Sequence, residues 1–305
     1  MLPLPRTSYE APDTVEEAVR LSAEPGARYI SGGTDLLPSM KQRVHLPALL
    51  VSTRRLSAMR RVVAGESGAL VVGAGLTLRH IATHPDVLLH HPALAAAARS
   101  VATPTIQAMA TLGGNLMLDT RCVYYNQPSG WRAALGGCLK CEGTICHVAP
   151  KGKGCYAAQS ADTVPVLSLL GAVAVFEALS GTVRVPVAEL YDGDGRDWIT
   201  APRGSLLTHV ELPAPQNPIA YRKLRQRGAI DYGLLLTAVQ RNEGGFRAVI
   251  SAVGPAPISV SAPDGASLEE AAYAAVQPLA THLPAATWRK KLVRVEVRRA
   301  VMELG

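Results

Sequence analysis

Apolar positions along this chain change period several times, and each change marks an element. Val15, Ala18 and Val19, with Leu21 nearby, recur at helical spacing after Thr14-Val15-Glu16-Glu17, a capping-box sequence. Ala27-Arg28-Tyr29-Ile30 reads as a short strand, stopped by Ser31-Gly32-Gly33-Thr34-Asp35. Residues 36–42 then predict a helix and Ala48-Leu49-Leu50-Val51 a second strand. This is a β-α-β unit with a glycine turn at the strand's carboxyl end, where backbone N–H groups can hold phosphate. Residues 69–75 predict a strand and 77–82 a short helix. Pro92 opens a helix through 93–101, whose small apolar residues predict burial.

Later in the chain, 163–170 reads as a helix and 173–177 with 182–185 as a hairpin. Residues 206–212, 220–225, 234–240 and 246–253 alternate as the strands of a C-terminal antiparallel sheet. Helices are expected at 268–276 and 288–304, the last with Trp288, Leu292, Val295 and Met302 as its apolar stripe. Gly254–Gly265, with Pro255, Pro257 and Pro263, predicts a loop. No internal repeat, heptad run or low-complexity linker interrupts the pattern. The expected class is α+β.

Composition narrows this. With 305 residues, 48% hydrophobic and 18% charged, the chain is globular and large enough for two or three subdomains. A 5% aromatic share with two Phe leaves Ala, Val and Leu to build the core. The net charge of +7 raises the question of nucleic acid. The basic residues fall in small groups, Arg54-Arg55, Arg60-Arg61, Arg289-Lys290-Lys291 and Arg298-Arg299, with no aromatic-basic platform. A basic face for an acidic partner is the better reading. Residues 1–6 lack the apolar core of a signal peptide, and no run has the length of a membrane helix. The expectation is a cytoplasmic protein, whose thiols stay reduced.

All five cysteines lie between Ala110 and Asp162. Fifteen residues separate Cys122 from Cys138, seven separate Cys138 from Cys146, and eight separate Cys146 from Cys155, with Cys141 inside. Four thiolates can ligate a [4Fe–4S] cube or a zinc ion. Zinc sites usually present two C-x₂-C pairs, and only Cys138-Leu139-Lys140-Cys141 is present. Widely spaced single cysteines suit a cluster, with Arg121, Lys140, Lys151 and Lys153 offsetting its charge. His147 reads as a surface residue. Ser31–Asp35 has neither the spacing of a dinucleotide fingerprint nor that of a P-loop, and could be a plain turn capped by Thr34 or Asp35. A second such segment, Thr111-Leu112-Gly113-Gly114-Asn115, raises the case that both face one large phosphorylated ligand.

Tyr29–Leu36, Ala110–Asn115 and Ser160-Ala161-Asp162-Thr163-Val164-Pro165 resemble, in order, the flavin-binding segments of the molybdenum hydroxylase FAD subunits, a family that includes xanthine and carbon monoxide dehydrogenases. The cysteine-bearing insert between the last two, with Thr120-Arg121-Cys122, Cys146-His147-Val148 and Cys155-Tyr156-Ala157, resembles the β subunits of 4-hydroxybenzoyl-CoA reductases. The resemblance implies a PCMH-type FAD-binding fold of two α/β subdomains, 1–57 and 58–180, the second carrying the insert at about 120–159. A C-terminal antiparallel sheet with helices, 181–305, would follow. It implies FAD on Tyr29, Ile30, Ser31, Gly32, Gly33, Thr34, Asp35, Leu36, Val101, Thr111, Gly114, Asn115, Asp162, Leu207 and Lys223. It implies a [4Fe–4S] cluster on Cys122, Cys138, Cys146 and Cys155, with Cys141 spare. The implied activity is electron transfer within an oxidoreductase that removes the phenolic hydroxyl of 4-hydroxybenzoyl-CoA. Electrons would come from a ferredoxin-like donor and leave for a [2Fe–2S] small subunit and a molybdenum-cofactor large subunit, in a dimer of heterotrimers. No residue of this chain is expected to be catalytic. Two alternatives remain: a related hydroxylase with another aromatic or CoA-thioester substrate, or a zinc-stabilised assembly subunit.

Overall fold

A computed structural model describes residues 2–228, 231–281 and 285–305. At the amino end, β1 (Ser8–Glu10), α1 (Val15–Ser22), β2 (Ala27–Ile30), α2 (Leu36–Lys41) and β3 (Leu49–Ser52) build a three-stranded parallel sheet in the order β1-β3-β2. α1 begins where the Thr14 hydroxyl accepts from the Glu17 N–H at 3.2 Å, and it buries Ala18 and Val19. The sequence pattern gives no sign of β1, because its three residues are all exposed.

The middle of the chain holds β4 (Val62–Ala64), β5 (Leu70–Gly73) and a helical run: α3 (Leu78–Thr83), α4 (Pro85–His90), α5 (Pro92–Arg99), α6 (Pro104–Gln107), α7 (Leu112–Leu116) and α8 (Ser129–Ala134). Then come α9 (Val164–Leu169), β6 (Val173–Ala178), β7 (Gly181–Pro186) and β8 (Leu206–Leu212). The five strands form an antiparallel sheet in the order β4-β5-β8-β6-β7. β8 therefore pairs with β5 and β6, not with the C-terminal strands among which its alternation seemed to place it. Alternation fixes which face a residue takes; it does not choose the neighbouring strand. The sheet also runs past residue 180, where the last domain was expected to begin.

The third sheet is antiparallel, β12-β11-β10-β9, from β9 (Ile219–Leu224), β10 (Leu235–Asn242), β11 (Gly245–Ser251) and β12 (Ile258–Ala262). β12 lies where a loop was expected. Pro257 and Pro263 sit just outside it, and an edge strand tolerates such neighbours. α10 (Gly265–Ala275) and α11 (Ala286–Glu303) cover this sheet.

The expected stripe on α11 is not its buried face. Trp288 is 43% and Met302 73% exposed, while Arg289, Val293, Glu296, Val297 and Ala300 are buried. Arg289 donates to the carbonyls of Leu234 and Ala252 (3.4 and 3.2 Å) and to the Thr281 hydroxyl at 3.2 Å. Glu296 accepts from Arg222 at 2.8 Å and Arg299 at 2.9 Å. Charges satisfied inside the fold can occupy core positions, so apolar periodicity alone chose the wrong face. The outer basic residues of α11 are matched too, Arg294 by Glu270 and Arg298 by Glu269, each at 2.6 Å. Arg294, Arg298 and Arg299 are thus paired within the chain.

One continuous apolar core joins the first two sheets through α1, α3, α5 and α9, and a second lies between the third sheet and α10 and α11. A small third cluster gathers Cys122, Cys138 and Cys155, with Cys141 packed against it. Among the described residues, no helix is long and apolar enough to cross a membrane.

Candidate cofactor site

A cleft of about 1120 Å³ is lined by residues 29–36, Val101, Thr111, Gly114, Asn115, Asp162, Leu207 and Lys223, so every residue singled out for the flavin lies on one surface. Local chemistry explains why the segments meet. A Cβ on Gly32 would stand 1.8 Å from the Met109 carbonyl oxygen, so only glycine lets the first turn pack on the chain entering the second segment. Gly33 has φ +69°, a left-handed conformation that suits glycine. The Thr111 hydroxyl accepts from the Gly114 N–H at 3.1 Å. The Asn115 Oδ1 accepts from the Thr163 hydroxyl at 2.7 Å and N–H at 3.2 Å, tying the third segment to the second.

The first turn is more than a capped strand end. Among the described residues, the N–H groups of Gly32, Gly33 and Thr34 donate to no backbone carbonyl, which leaves them for an anion. Asp35 stands at the N-cap position of α2 without capping it, because its carboxylate accepts from Arg121 at 2.9 Å. Tyr29 closes one end, its hydroxyl donating to the Gly204 carbonyl at 2.9 Å. Burial pushes its pKa up to about 12, against a hydrogen bond with Ser22.

Lys223 and Asp162 form an ion pair at 2.7 Å with side chains only 5% and 8% exposed. Lys223 also donates to the Ser100 carbonyl at 3.1 Å, and the Tyr221 hydroxyl donates to Asp162 at 3.2 Å. Burial first, then the Asp162 charge, raises the Tyr221 pKa well above its usual value. Sequence reading missed Tyr221 and Ser100, although Tyr221 is two residues from Lys223 on β9 and so shares its face. It also missed the wall supplied by Trp198, Ile199 and Gly204, which lie in a loop without a motif.

The cysteines assemble beside the cleft. Cys122, Cys138, Cys146 and Cys155 are all buried, while Cys141 is only partly so. Cys122, Cys138 and Cys155 pack with Tyr125 and Ala157, and Cys146 is close enough to raise the pKa of both Cys122 and Cys155. Burial is the main cause of both shifts and takes Cys155 up to about 11, despite the Ala157 N–H and the Lys140 charge. Buried thiols gathered in this way are of the donor type that zinc and iron–sulfur clusters take. Among the described residues, no three of His, Cys, Asp and Glu converge as a single ion requires.

Buried charge anchors the cage. Asp119 accepts from Lys140 at 2.5 Å and lies 3.1 Å from His45 Nε2 and 3.8 Å from Arg121. Burial alone would raise its carboxyl, but His45, Lys140 and Arg121 outweigh that and hold it well below the usual range. Lys140 also donates to the carbonyls of Thr120 (3.0 Å) and Gly195 (2.6 Å). Arg121 donates to Asp35 and, at 2.7 Å, to the Ser39 hydroxyl. Of the cations expected to balance a cluster, Arg121 and Lys140 are thus committed to carboxylates, and Lys151 and Lys153 are exposed. His147 is not a plain surface residue: its Nε2 is 2.7 Å from the Gly137 carbonyl and its ring lies 5.3 Å from that of Tyr124.

Residues 5–215 match the family model described as the FAD binding domain in molybdopterin dehydrogenase, which ends just past β8. The chain belongs to this family, the FAD-binding subunits of xanthine dehydrogenase- and carbon monoxide dehydrogenase-type molybdenum hydroxylases. It is 31% identical over 286 residues, 89% of each chain, to the aldehyde oxidoreductase FAD-binding subunit PaoB of Escherichia coli K12. It is 36% identical over 118 residues to the carbon monoxide dehydrogenase medium chain of Hydrogenophaga pseudoflava, covering 38% of this chain and 40% of that one. Its fold matches a chain of quinoline 2-oxidoreductase from Pseudomonas putida 86 with a TM-score of 0.78, at 22% identity over 99% and 98% of the two chains. The fold is the expected PCMH-type FAD-binding fold with a C-terminal antiparallel sheet and helices.

Proposed function

We propose that this chain is the flavin- and [4Fe–4S]-binding electron-transfer subunit of a molybdenum enzyme that reduces 4-hydroxybenzoyl-CoA to benzoyl-CoA. The observation that carries the two-cofactor reading is the joining of four buried thiols to the flavin turn through Arg121 and Asp35. When bound, FAD and the cluster supply reversible electron uptake and release, and the protein supplies binding, orientation and electrostatics. Gly32, Gly33 and Thr34 offer N–H donors to the pyrophosphate. Asp162 fixes the Lys223 ammonium in the cleft, where it stabilises negative charge on a ligand beside it. Cys122, Cys138, Cys146 and Cys155 hold the cluster, and burial keeps water from it. A [2Fe–2S] small subunit, a molybdenum-cofactor large subunit and a ferredoxin-like donor complete the system, as a dimer of heterotrimers. A reducing cytoplasmic setting suits five free cysteines.

Similarity to an aldehyde oxidoreductase subunit over most of both chains favours a second reading, in which the same subunit serves an aldehyde-oxidising complex. Turnover by the assembled complex decides between them. Consumption of 4-hydroxybenzoyl-CoA with reduced viologen as donor supports the first reading. Aromatic aldehyde oxidation without that activity replaces it with the second.

A further inference from the structure

We propose that Cys138 and Cys141 form a peroxide-sensitive dithiol that closes to a disulfide when the cage holds no metal. Closure removes Cys138 from the ligand set. The Cys138 N–H donates to the Cys141 carbonyl at 2.9 Å and the Cys141 N–H to the Cys138 carbonyl at 2.8 Å, across the two-residue turn Leu139-Lys140. Residues that exchange both hydrogen bonds in this way have Cα atoms about 5.5 Å apart. That separation lies within the span of a disulfide. Their side chains leave the pair on the same face, and both thiols belong to the one small cluster of the insert. Gly137, at φ +71°, keeps the turn tight, because a Cβ there would stand 2.3 Å from the Cys141 carbonyl oxygen.

The two thiols differ in access. Cys138 is buried, whereas Cys141 is the one cysteine that is not. Cys141 therefore meets a peroxide first. Its thiolate attacks one peroxide oxygen; an S–O bond forms, the O–O bond breaks and hydroxide leaves. The Cys138 thiolate then attacks the Cys141 sulfur; the S–S bond forms, the S–O bond breaks and a second hydroxide leaves. The two thiol protons convert both hydroxides to water. The sulfurs lose two electrons and the peroxide gains them. A thiol reductant reopens the pair. Bridge formation needs only this chain, while its consequence for metal loading rests on the proposed cluster.

The test uses the full chain, stripped of iron by a chelator under reductant and then given equimolar hydrogen peroxide. Thiol alkylation should show two fewer free thiols than the five in the sequence, and peptide mapping should join residues 138 and 141. Cys141→Ser should form no bridge and keep Cys138 alkylatable at the same dose. An unchanged thiol count, or a bridge between another pair, overturns the proposal. In reconstitution with iron and sulfide, oxidised wild type should gain no iron–sulfur absorbance until dithiothreitol is added, while Cys141→Ser loads with or without peroxide. If reduced wild type takes up no iron, the cluster reading and the loading role fall, and the bridge stands on the mapping alone.

Discussion

Replacing Asp119 with asparagine should loosen the cysteine insert selectively. Asp119 and Lys140 are 8% and 6% exposed and 2.5 Å apart, so neither charge has water to fall back on. Removing one partner of a buried ion pair costs about 3–5 kcal/mol. The ammonium keeps the Thr120 and Gly195 carbonyls at 3.0 and 2.6 Å, which sets the expectation near the low end, about 3 kcal/mol. That corresponds to roughly a hundredfold in an opening equilibrium. Hydrogen exchange reads it locally, which matters because a chain with several cores need not unfold in two states. Arg121 and Ala158 exchange backbone hydrogen bonds at 3.0 and 2.8 Å and close the insert, so their amides are the reporters. They should exchange roughly a hundredfold faster in D119N, while amides of β10 and β11 stay unchanged. Lys140→Met should cost less, since Asp119 keeps His45 and Arg121, and the double variant should cost clearly less than the two single effects added together. Acceleration below about threefold, or strictly additive effects, would refute the idea that this pair anchors the insert.

Gly32→Ala should lower stability by about 3 kcal/mol and abolish flavin retention, because the collision with Met109 is with backbone and cannot be relieved by a rotamer; thermal melting and bound-flavin absorbance check both. Cys122→Ser should lose iron and keep FAD, whereas Cys141→Ser should keep both; iron loss in the latter would move the fourth ligand to Cys141. Lys223→Met should weaken FAD binding by about tenfold or more, the scale of a hydrogen bond to a charged group, as read by fluorescence titration of the flavin-free chain.

The lining of the cleft was legible because glycines and short polar residues stand out in three ordered segments, and Gly32, Gly114, Asn115 and Asp162 do come together. The cysteine window was equally plain, since all five thiols lie in one stretch. Partner choice was not. Strand β8 carries a clear alternation, yet nothing in it says that Val210 lies opposite Val72 and Ala174 instead of facing the last sheet. The buried face of α11 was misread because Arg289 and Glu296 look like surface residues until Arg222, Arg299 and the surrounding carbonyls are in place. Asp35 looked like a cap for the same reason: its partner, Arg121, lies far along the chain and no local pattern announces it.

The central claim is that flavin and an iron–sulfur cluster share this one chain. Purification under anaerobic conditions, followed by an absorption spectrum with iron, acid-labile sulfide and zinc analysis, tests it most directly. The wild-type chain should carry FAD together with a broad iron–sulfur absorbance and iron matched by sulfide, and Cys122→Ser should lose the iron–sulfur absorbance, iron and sulfide while keeping FAD. A protein that carries flavin with stoichiometric zinc and no sulfide, or no chromophore at all, would contradict it.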